Sequence, residues 1–525
     1  MAAPVLMVQG TASSVGKSVI AAGLCRILRR RGWRVAPFKA QNMSLNAAVT
    51  LDGGEIARST AVQAAAAGLE ATVDMNPILL KPEAGMRAQV IVRGKAMGTV
   101  DWSGDRTRRP DLWPTVVESL DRLRRHYDVI VAEGAGSPAE MNLRASDIAN
   151  MRVARHADAT VLLVGDIDRG GVFAQLLGTL DLLPANERSL VRGLIVNRFR
   201  GDPALFADGV RFLEARAGVP VLGVVPYVPD LGLAEEDAAT LDDVRRRSRV
   251  ATTPVATRIV VIRLPHLSNF DDFGPLERQD GIMLKYVSRP DDLDAADLVI
   301  LPGSKSTISD LGFLRERGLA DAIVDARARG TPVIGICGGF QMLGRSIDDP
   351  RHVESPIDRV DGLGLLPHET TFEDEKQTDR VRARLIGTAG PFASAHGAQI
   401  DGYEIHAGRT TCLDGTDVST PIRVCVRSGR SVDEPDGALS ADGLVFGTYL
   451  HGLFDNELAR DALLAWLKAR RDRGGGEAAD AARPGPTRAP RADPYERCAD
   501  ALEAALDVPA ILAFLGSAAA KVEGR

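Results

Sequence analysis

The sequence predicts an α/β protein with two domains, each built around a parallel β-sheet. Short, almost continuous apolar runs alternate with amphipathic helical patterns along most of the 525 residues. Strands of that kind lie in parallel sheets that helices cover on both faces. A polar stretch over residues 231–257, which we interpret as a linker, interrupts the pattern once. We therefore expect a first domain over residues 1–230 and a second over residues 258–467, each long enough to bury a core.

The composition argues against several classes of protein. The 64 basic and 70 acidic residues give a formal net charge of −6, which does not suggest a nucleic-acid-binding surface. The apolar runs are of strand length, so we expect no membrane-spanning segment, and the first ten residues do not resemble a signal peptide. The five cysteines are scattered and form no CxxC pair, as is typical of a reducing compartment. We expect a cytoplasmic enzyme that binds neither nucleic acid nor membrane.

The elements of the first domain follow in order from its apolar runs. They predict a strand over residues 5–9, a helix over 17–31 and a strand over 34–38. Enrichment in β-branched residues predicts further strands, over residues 129–132, 160–164, 193–196 and 219–225.

The second domain opens with a predicted strand over residues 259–263 and continues with strands over 298–301 and 333–336. Residues 470–494 are rich in Arg, Ala, Gly and Pro, which cannot form a packed core, so we predict a disordered insert there. Residues 495–515 carry Leu and Ala at helical spacing. They predict a C-terminal helix that docks back on the protein, within a final segment over 495–525.

A glycine-rich loop joins the first strand to the first helix. It carries Gly10, Thr11, Gly16, Lys17 and Ser18. The backbone N–H groups of such a loop surround phosphate oxygens, while the lysine supplies positive charge and the hydroxyl suits Mg²⁺. The alternative is a glycine turn with an exposed lysine. The strand–loop–helix context favours a P-loop that binds ATP and Mg²⁺.

The loop has five residues between its outer glycines rather than the usual four, and in this it resembles dethiobiotin synthetase and its relatives. That family uses ATP to activate a carboxyl-type group. The resemblance implies that Lys39 lies near the reacting carboxyl and phosphoryl groups and that Glu133 binds Mg²⁺, the ion that the Ser18 hydroxyl also suits. Glu55 is a candidate for a second acidic metal ligand. For Lys39 and Glu55, a solvated surface charge is the alternative.

Cys337 lies between a predicted strand and an amphipathic helix, and it is followed by Gly338 and Gly339. Two glycines allow a tight turn, which is the pattern of a nucleophile elbow. An elbow exposes the thiol at a helix N-terminus, where the thiolate is favoured. The alternative is a buried structural cysteine. We expect Cys337 to be a catalytic nucleophile.

A thiolate nucleophile needs a histidine to transfer protons. His451 follows an apolar run and is the first candidate; His406 is the second, although a structural role is favoured for it. The turn at Gly303 ends another predicted strand. The backbone N–H groups of Gly303 and Gly338 could therefore face a developing oxyanion.

These segments, in this order, resemble a class I glutamine amidotransferase domain. Most of that family has a Glu two residues after the histidine, but this chain has Leu453 there. Either another group orients His451, or the glutaminase is weak until it is activated. The missing acid is characteristic of the cobyrinic and cobyric acid branch of the family.

An ATP-activating domain followed by a glutaminase domain implies ATP-dependent amide synthesis. Five polar motifs in the order of the chain resemble the adenosylcobyric acid synthase family, at residues 41–46, 75–82, 133–143, 165–171 and 197–202. The resemblance implies a carbon–nitrogen ligase of cobalamin (vitamin B12) biosynthesis. It would amidate the b, d, e and g carboxylates of adenosylcobyrinic acid a,c-diamide, with ATP and L-glutamine.

Two alternatives remain open at this point. One is the sister enzyme, cobyrinic acid a,c-diamide synthase, against which the motif over residues 41–46 argues. The other is a non-catalytic P-loop scaffold protein with a degenerate glutaminase domain, against which the presence of both Cys337 and His451 argues.

Overall fold

The computed structural model describes residues 2–101, 111–229, 231–233, 257–413, 415, 418–473 and 493–516. Most of the predicted linker over 231–257 and most of the segment over 470–494 lie outside the described residues, as do residues 517–525. The domain boundaries therefore stay predictions. Among the helices of the described residues, none combines the length and the apolar character that a membrane span requires.

The first domain alternates strands and helices. Its strands are β1 (Val5–Gly10), β2 (Val35–Phe38), β3 (Gln41–Met43), β4 (Ala47–Val49), β5 (Glu55–Ala57), β6 (Ile78–Glu83), β7 (Arg87–Val92), β8 (Lys95–Asp101), β9 (Val129–Glu133), β10 (Thr160–Asp166), β11 (Val191–Phe199) and β12 (Val221–Pro226). Its helices are α1 (Lys17–Arg30), α2 (Arg58–Ala66), α3 (Trp113–His126), α4 (Met151–Ala157), α5 (Val172–Leu182), α6 (Ala185–Arg188) and α7 (Ala207–Ala217).

A six-stranded parallel sheet in the order β12-β11-β10-β1-β9-β2 forms the centre of this domain and confirms the predicted fold class. Strands β1 and β9 are neighbours, and Val8 pairs with Glu133. Strand β2 pairs with the other side of β9. The carboxyl ends of parallel strands share one edge of a sheet. At this edge meet the loop after β1, Lys39 after β2 and Glu133 at the end of β9.

The second domain is also of the α/β class. Its strands are β13 (Thr257–Ile262), β14 (Ile282–Val287), β15 (Leu298–Leu301), β16 (Val333–Ile336), β17 (Ser346–Asp348), β18 (Arg359–Asp361), β19 (His368–Leu385), β20 (Gln399–Cys412), β21 (Val418–Ser419), β22 (Ile422–Arg427), β23 (Arg430–Asp436), β24 (Ala438–Ser440) and β25 (Val445–Thr448). Its helices are α8 (Gly274–Glu277), α9 (Thr307–Glu316), α10 (Leu319–Ala328), α11 (Gly338–Leu343) and α12 (Glu457–Arg473).

The main sheet of the second domain has the order β14-β13-β15-β16-β25-β24-β21, and its strands from β14 to β25 are parallel. Gly303 follows β15, Cys337 follows β16 and His451 follows β25. These three strands are consecutive neighbours in the sheet. The topology therefore brings the three predicted glutaminase residues to one edge.

Smaller sheets that the sequence analysis did not predict lie where the two domains meet. Strands β4 and β5 pair with each other, and β6, β7 and β8 form an antiparallel meander. In the second domain, β19 pairs with β20 over most of its length. Apolar residues of β4, β5, β6 and β7 form a buried cluster with Tyr403 and Ile405 of β20. This cluster joins the first domain to the glutaminase half.

Two predictions about the C-terminal part need correction. Helix α12 continues to Arg473, so the first residues of the segment predicted to be disordered are helical. The expected single C-terminal helix is two helices, α13 (Pro494–Ala505) and α14 (Val508–Ala513). The chain breaks between them because Asp507 caps the second helix by accepting a hydrogen bond from the Ala510 N–H, 3.0 Å away.

Candidate active site

The P-loop has the backbone that a phosphate-binding turn requires. Gly16 has φ of 99°, and a Cβ at this position would lie 2.1 Å from Nδ2 of Asn197, so only glycine fits without a shift. Lys17 is buried, and its ammonium group donates to the carbonyls of Ala12 at 2.8 Å and Gly136 at 3.1 Å. These contacts hold the Lys17 side chain across the loop.

Glu133 is the centre of a polar cluster beside this loop. The Ser18 hydroxyl donates to Glu133 Oε1 over 2.8 Å, and Lys39 Nζ lies 3.0 Å from the same oxygen. The amide of Gln63 donates to Oε2. Three residues that were predicted separately, Ser18, Lys39 and Glu133, therefore meet, and Lys39 is buried rather than solvated. Gln63 was not predicted, because nothing in its local sequence distinguishes it.

The donor atoms of this cluster fit Mg²⁺, which prefers hard oxygen ligands and often takes one carboxylate together with phosphate oxygens. Ser18 Oγ and the Glu133 carboxylate supply such atoms next to the phosphate loop. In the described part of the chain, no group of three or more His, Cys, Asp or Glu side chains could hold a metal by itself. Any Mg²⁺ here would take its further ligands from the nucleotide phosphates and from water.

Glu55 does not belong to this cluster, so its predicted role as a metal ligand needs correction. Its Oε1 forms an ion pair with Lys81 at 2.7 Å, and its Oε2 pairs with Lys376 of the second domain. Burial opposes ionisation of Glu55, but Lys376 and Lys81 outweigh it and lower its pKa to about 2. Two ammonium groups neutralise this carboxylate at the domain interface, so its contacts do not support metal binding.

Cys337 forms the predicted elbow. Its φ of 52° is in the left-handed region, a strained backbone for a cysteine, directly before α11. A Cβ at Gly339 would lie 1.9 Å from the Leu301 carbonyl oxygen, which explains the glycine there. The expectation of an exposed thiol is wrong: Cys337 is only 5% exposed. Strand β20 covers the thiol, and Cys337 Sγ donates to the carbonyl of Ile405 in that strand over 3.4 Å.

His451 is fully buried beside Cys337 and has an acidic partner. Its Nδ1 lies 2.6 Å from Oδ2 of Asp272, and Asp272 Oδ1 accepts the N–H of Gly452 at 2.9 Å. Burial alone would lower the pKa of His451, but the Asp272 carboxylate and the hydrogen-bonded Cys337 thiol raise it to about 10. Most of the family has an acid where this chain has Leu453. The structure therefore favours the alternative in which another group, here Asp272, orients His451.

His406 has the structural role that was favoured for it. Its Nδ1 contacts the Gly408 carbonyl at 2.8 Å, and its ring stacks on Tyr449 with centroids 3.7 Å apart. Burial lowers its pKa to about 3, so the ring stays neutral. A neutral imidazole held in this way is a poor partner for a thiolate.

The two predicted oxyanion donors lie on adjoining backbone segments. A Cβ at Gly338 would lie 2.9 Å from the Ser304 nitrogen, so the turn of Gly303 and Ser304 packs directly against the elbow. A Cβ at Gly303 would lie 3.2 Å from Cε1 of His451. The turn, the nucleophile and the histidine therefore surround one small space.

A cavity at this space is lined by residues of both domains. Lys81 and Gln89 come from the first domain, while Cys337, Gln341 and Glu354 come from the second. Lys305 also lines it and pairs with Glu83 of the first domain at 2.7 Å. Strands β6 and β7 therefore contribute part of the wall of the glutaminase cavity, which the sequence did not predict.

Known families match both halves of the chain. Residues 6–241 match the CobQ/CobB/MinD/ParA nucleotide binding domain, and residues 258–459 match the CobB/CobQ-like glutamine amidotransferase domain. The solved structure of PurLQS from Thermotoga maritima is 25% identical, with a TM-score of 0.32, and covers 40% of this chain and 99% of that one.

Two curated relatives match nearly end to end. The cobyric acid synthase of Chloroflexus aggregans is 55% identical over 89% of this chain and 92% of its own length. That of Sorangium cellulosum is 50% identical over 97% of this chain and 98% of its own length. With half of all residues identical over almost the whole length, the chain belongs to the cobyric acid synthase family.

Proposed function

We propose that the protein amidates the b, d, e and g side-chain carboxylates of adenosylcobyrinic acid a,c-diamide to give adenosylcobyric acid, with ATP and L-glutamine as co-substrates. One observation carries the proposal: a single chain combines a P-loop cluster around Glu133 with a Cys337–His451–Asp272 triad. A carboxylate does not react with ammonia at neutral pH, so amide synthesis needs both an activating site and a source of ammonia. We retain the cytoplasm as its location because of the scattered cysteines.

In the glutaminase half, the Cys337 thiol gives its proton to His451, and the resulting thiolate attacks the carboxamide carbon of glutamine to form a thioester as ammonia leaves. The N–H groups of Gly303 and Gly338 stabilise the oxyanion that develops on the carbonyl oxygen. His451, whose pKa is raised to about 10, is protonated at neutral pH and gives its proton to the departing ammonia. Water then hydrolyses the thioester to glutamate, with His451 as the base.

In the synthetase half, the P-loop amides and Lys17 bind the phosphates of ATP, and transfer of the γ-phosphoryl group converts the corrinoid carboxylate to an acyl phosphate. Mg²⁺, held by Ser18 and Glu133, would neutralise charge on the transferring group. Lys39 lies 3.0 Å from Glu133, and this contact supports a role for Lys39 in orienting the carboxylate for the transfer. Ammonia displaces phosphate from the acyl phosphate and forms the amide.

The test is a time course with adenosylcobyrinic acid a,c-diamide, ATP, Mg²⁺ and glutamine, followed by mass spectrometry. We expect partly amidated intermediates and a final product with four new amides. Conversion of cobyrinic acid to its a,c-diamide without further reaction would establish the sister enzyme instead. If neither substrate causes glutamine-dependent ATP hydrolysis, the protein is a scaffold and the proposal is wrong.

The nitrogen source provides a matched control. Cys337→Ala should abolish amidation with glutamine but retain amidation with free ammonia at raised pH, because ammonia bypasses the thioester. A Cys337→Ala variant that still uses glutamine would contradict the assigned nucleophile. Lys17→Ala should fail with both nitrogen sources, since it impairs activation of the carboxylate.

A further inference from the structure

A backbone N–H and a side-chain amide of the first domain hold the segment that lies beside the catalytic histidine. The Ala47 N–H donates to Oδ1 of Asn269 at 2.9 Å, and this contact fixes the amide so that Nδ2 lies 3.3 Å from Nε2 of His451. The side-chain oxygen of Asn46 accepts the Phe270 N–H at 3.2 Å. Asn269 and Phe270 directly precede the acids of the site, so the first domain fixes the position of that segment.

Arg58, also from the first domain, contacts two neighbours of the catalytic pair. Its guanidinium forms an ion pair with Asp271, at 2.7 Å, and Asp271 is adjacent in sequence to Asp272. The guanidinium carbon also lies 6.0 Å from the ring centre of Tyr403. Tyr403 in turn stacks on the imidazole of His451, with centroids 5.1 Å apart and planes inclined by 15°. Arg58 therefore supports both the acid segment and the face of His451.

Helix α2, which begins at Arg58, also reaches the nucleotide site. Arg58 is the first residue of α2, and Gln63 follows five residues later, about 7.5 Å along the axis. Gln63 is fully buried and donates to Oε2 of Glu133. Most residues of α2 are buried, and close packing leaves the helix little freedom to move one end without the other.

We propose that helix α2 positions both catalytic centres at once, with Arg58 as the positioning residue of the Asp272–His451 pair and Gln63 as the positioning residue of Glu133. This inference rests on the proposed function. It has a mechanistic consequence: a group that binds at Glu133 acts on the same rigid element that supports His451. Binding of ATP and Mg²⁺ is therefore coupled to glutamine hydrolysis.

The first test compares Arg58→Ala, Arg58→Lys and Arg380→Ala. Arg380 forms another ion pair between the domains, with Glu70 at 2.7 Å, but both side chains are largely exposed, and Arg380→Ala is the matched control. We expect Arg58→Ala to lower kcat for glutamine hydrolysis about 10- to 100-fold with little change in KM, because the catalytic pair is misplaced. Arg58→Lys keeps the charge beside Asp271 and should recover part of the rate.

Amidation with free ammonia and the thermal unfolding midpoint distinguish this role from misfolding. Arg58→Ala should retain ammonia-dependent amidation, which bypasses His451, and Arg380→Ala should behave as the unaltered protein. If Arg58→Ala hydrolyses glutamine as fast as Arg380→Ala, or if Arg58→Lys is no better than Arg58→Ala, the inference is wrong. If the unaltered protein hydrolyses no glutamine at all, it is the proposed function that fails.

The second test measures glutamine hydrolysis with and without ATP and Mg²⁺, in the absence of corrinoid. We expect the unaltered protein and Arg380→Ala to be stimulated about fivefold or more, within the usual range of coupling between sites. Arg58→Ala should lose the stimulation. No stimulation of the unaltered protein, or equal stimulation of Arg58→Ala, would show that α2 does not couple the two centres.

Discussion

Asp272 Oδ2 lies 2.6 Å from Nδ1 of His451, although 179 residues separate them in the chain. The contact directs the Nδ1–H toward the carboxylate and leaves Nε2 for the thiol, which is the arrangement that a catalytic triad requires. Asp272 belongs to a 3₁₀ turn, Phe270–Phe273, rather than to the strand that precedes His451. The position two residues after the histidine, Leu453, can therefore be apolar without loss of the acid.

Asp272→Asn should lower kcat for glutamine hydrolysis about 10²- to 10⁴-fold, because an amide cannot stabilise the imidazolium or select its tautomer. Ammonia-dependent amidation should be nearly unaffected, and its rate serves as the control for folding. A variant that retains more than about a tenth of the glutaminase rate would show that Asp272 is not the third member of the triad.

The pH dependence of glutamine hydrolysis tests the same contact. The pKa of His451 is raised to about 10, so the imidazole is protonated below that pH and loses its proton above it. Since the protonated form serves the leaving ammonia, kcat should fall as the pH rises through about 10. In Asp272→Asn, burial lowers the pKa of His451 without the carboxylate that opposes it. The fall in kcat should therefore move to lower pH. An identical profile in both proteins would contradict this explanation.

The local pattern of the sequence was sufficient to predict where the glycine-rich loop and the Cys337 elbow lie in the fold. Gly16, Lys17 and Ser18 have a spacing that is typical of a strand–loop–helix turn, and Cys337 is followed by the two glycines of its elbow. The charged run within β19 hides the alternation that predicts a strand, so the hairpin of β19 and β20 that covers Cys337 was missed. The expected exposure of the thiol was wrong for that reason.

Asp272 could not be predicted because its role depends on tertiary packing. It stands beside Asp271, and the local sequence does not distinguish the two acids. One contacts His451 and the other pairs with Arg58 of the first domain. Glu55 shows the converse: a carboxylate in a glycine-rich turn suggested a metal ligand, but the second domain brings Lys376 to it.

Glu133→Gln and Glu55→Gln should have different effects on the Mg²⁺ requirement. Glu133→Gln removes an anionic donor beside Ser18 and should raise the Mg²⁺ concentration for half-maximal ammonia-dependent amidation about tenfold or more. Glu55→Gln should leave this concentration unchanged but lower the free energy of unfolding by about 3–5 kcal/mol, because buried Lys81 and partly buried Lys376 lose their counter-charge. A raised Mg²⁺ requirement in Glu55→Gln would restore the original metal assignment.

Leu502→Ala should destabilise the first domain even though the residue is remote in sequence from the P-loop. Leu502 is buried on α13, and a Cβ at Gly23 of α1 would lie 2.2 Å from its Cδ1, so the two helices pack closely. Helix α1 carries Lys17 at its first turn, and the cavity left by the truncation should lower the free energy of unfolding by about 2–5 kcal/mol.

Leu182→Ala is the control. It removes a leucine that is 51% exposed in the same domain and should change the free energy of unfolding by less than about 0.5 kcal/mol. Urea-induced unfolding of both variants measures the difference, and equal midpoints would show that α13 contributes little to the stability of the domain.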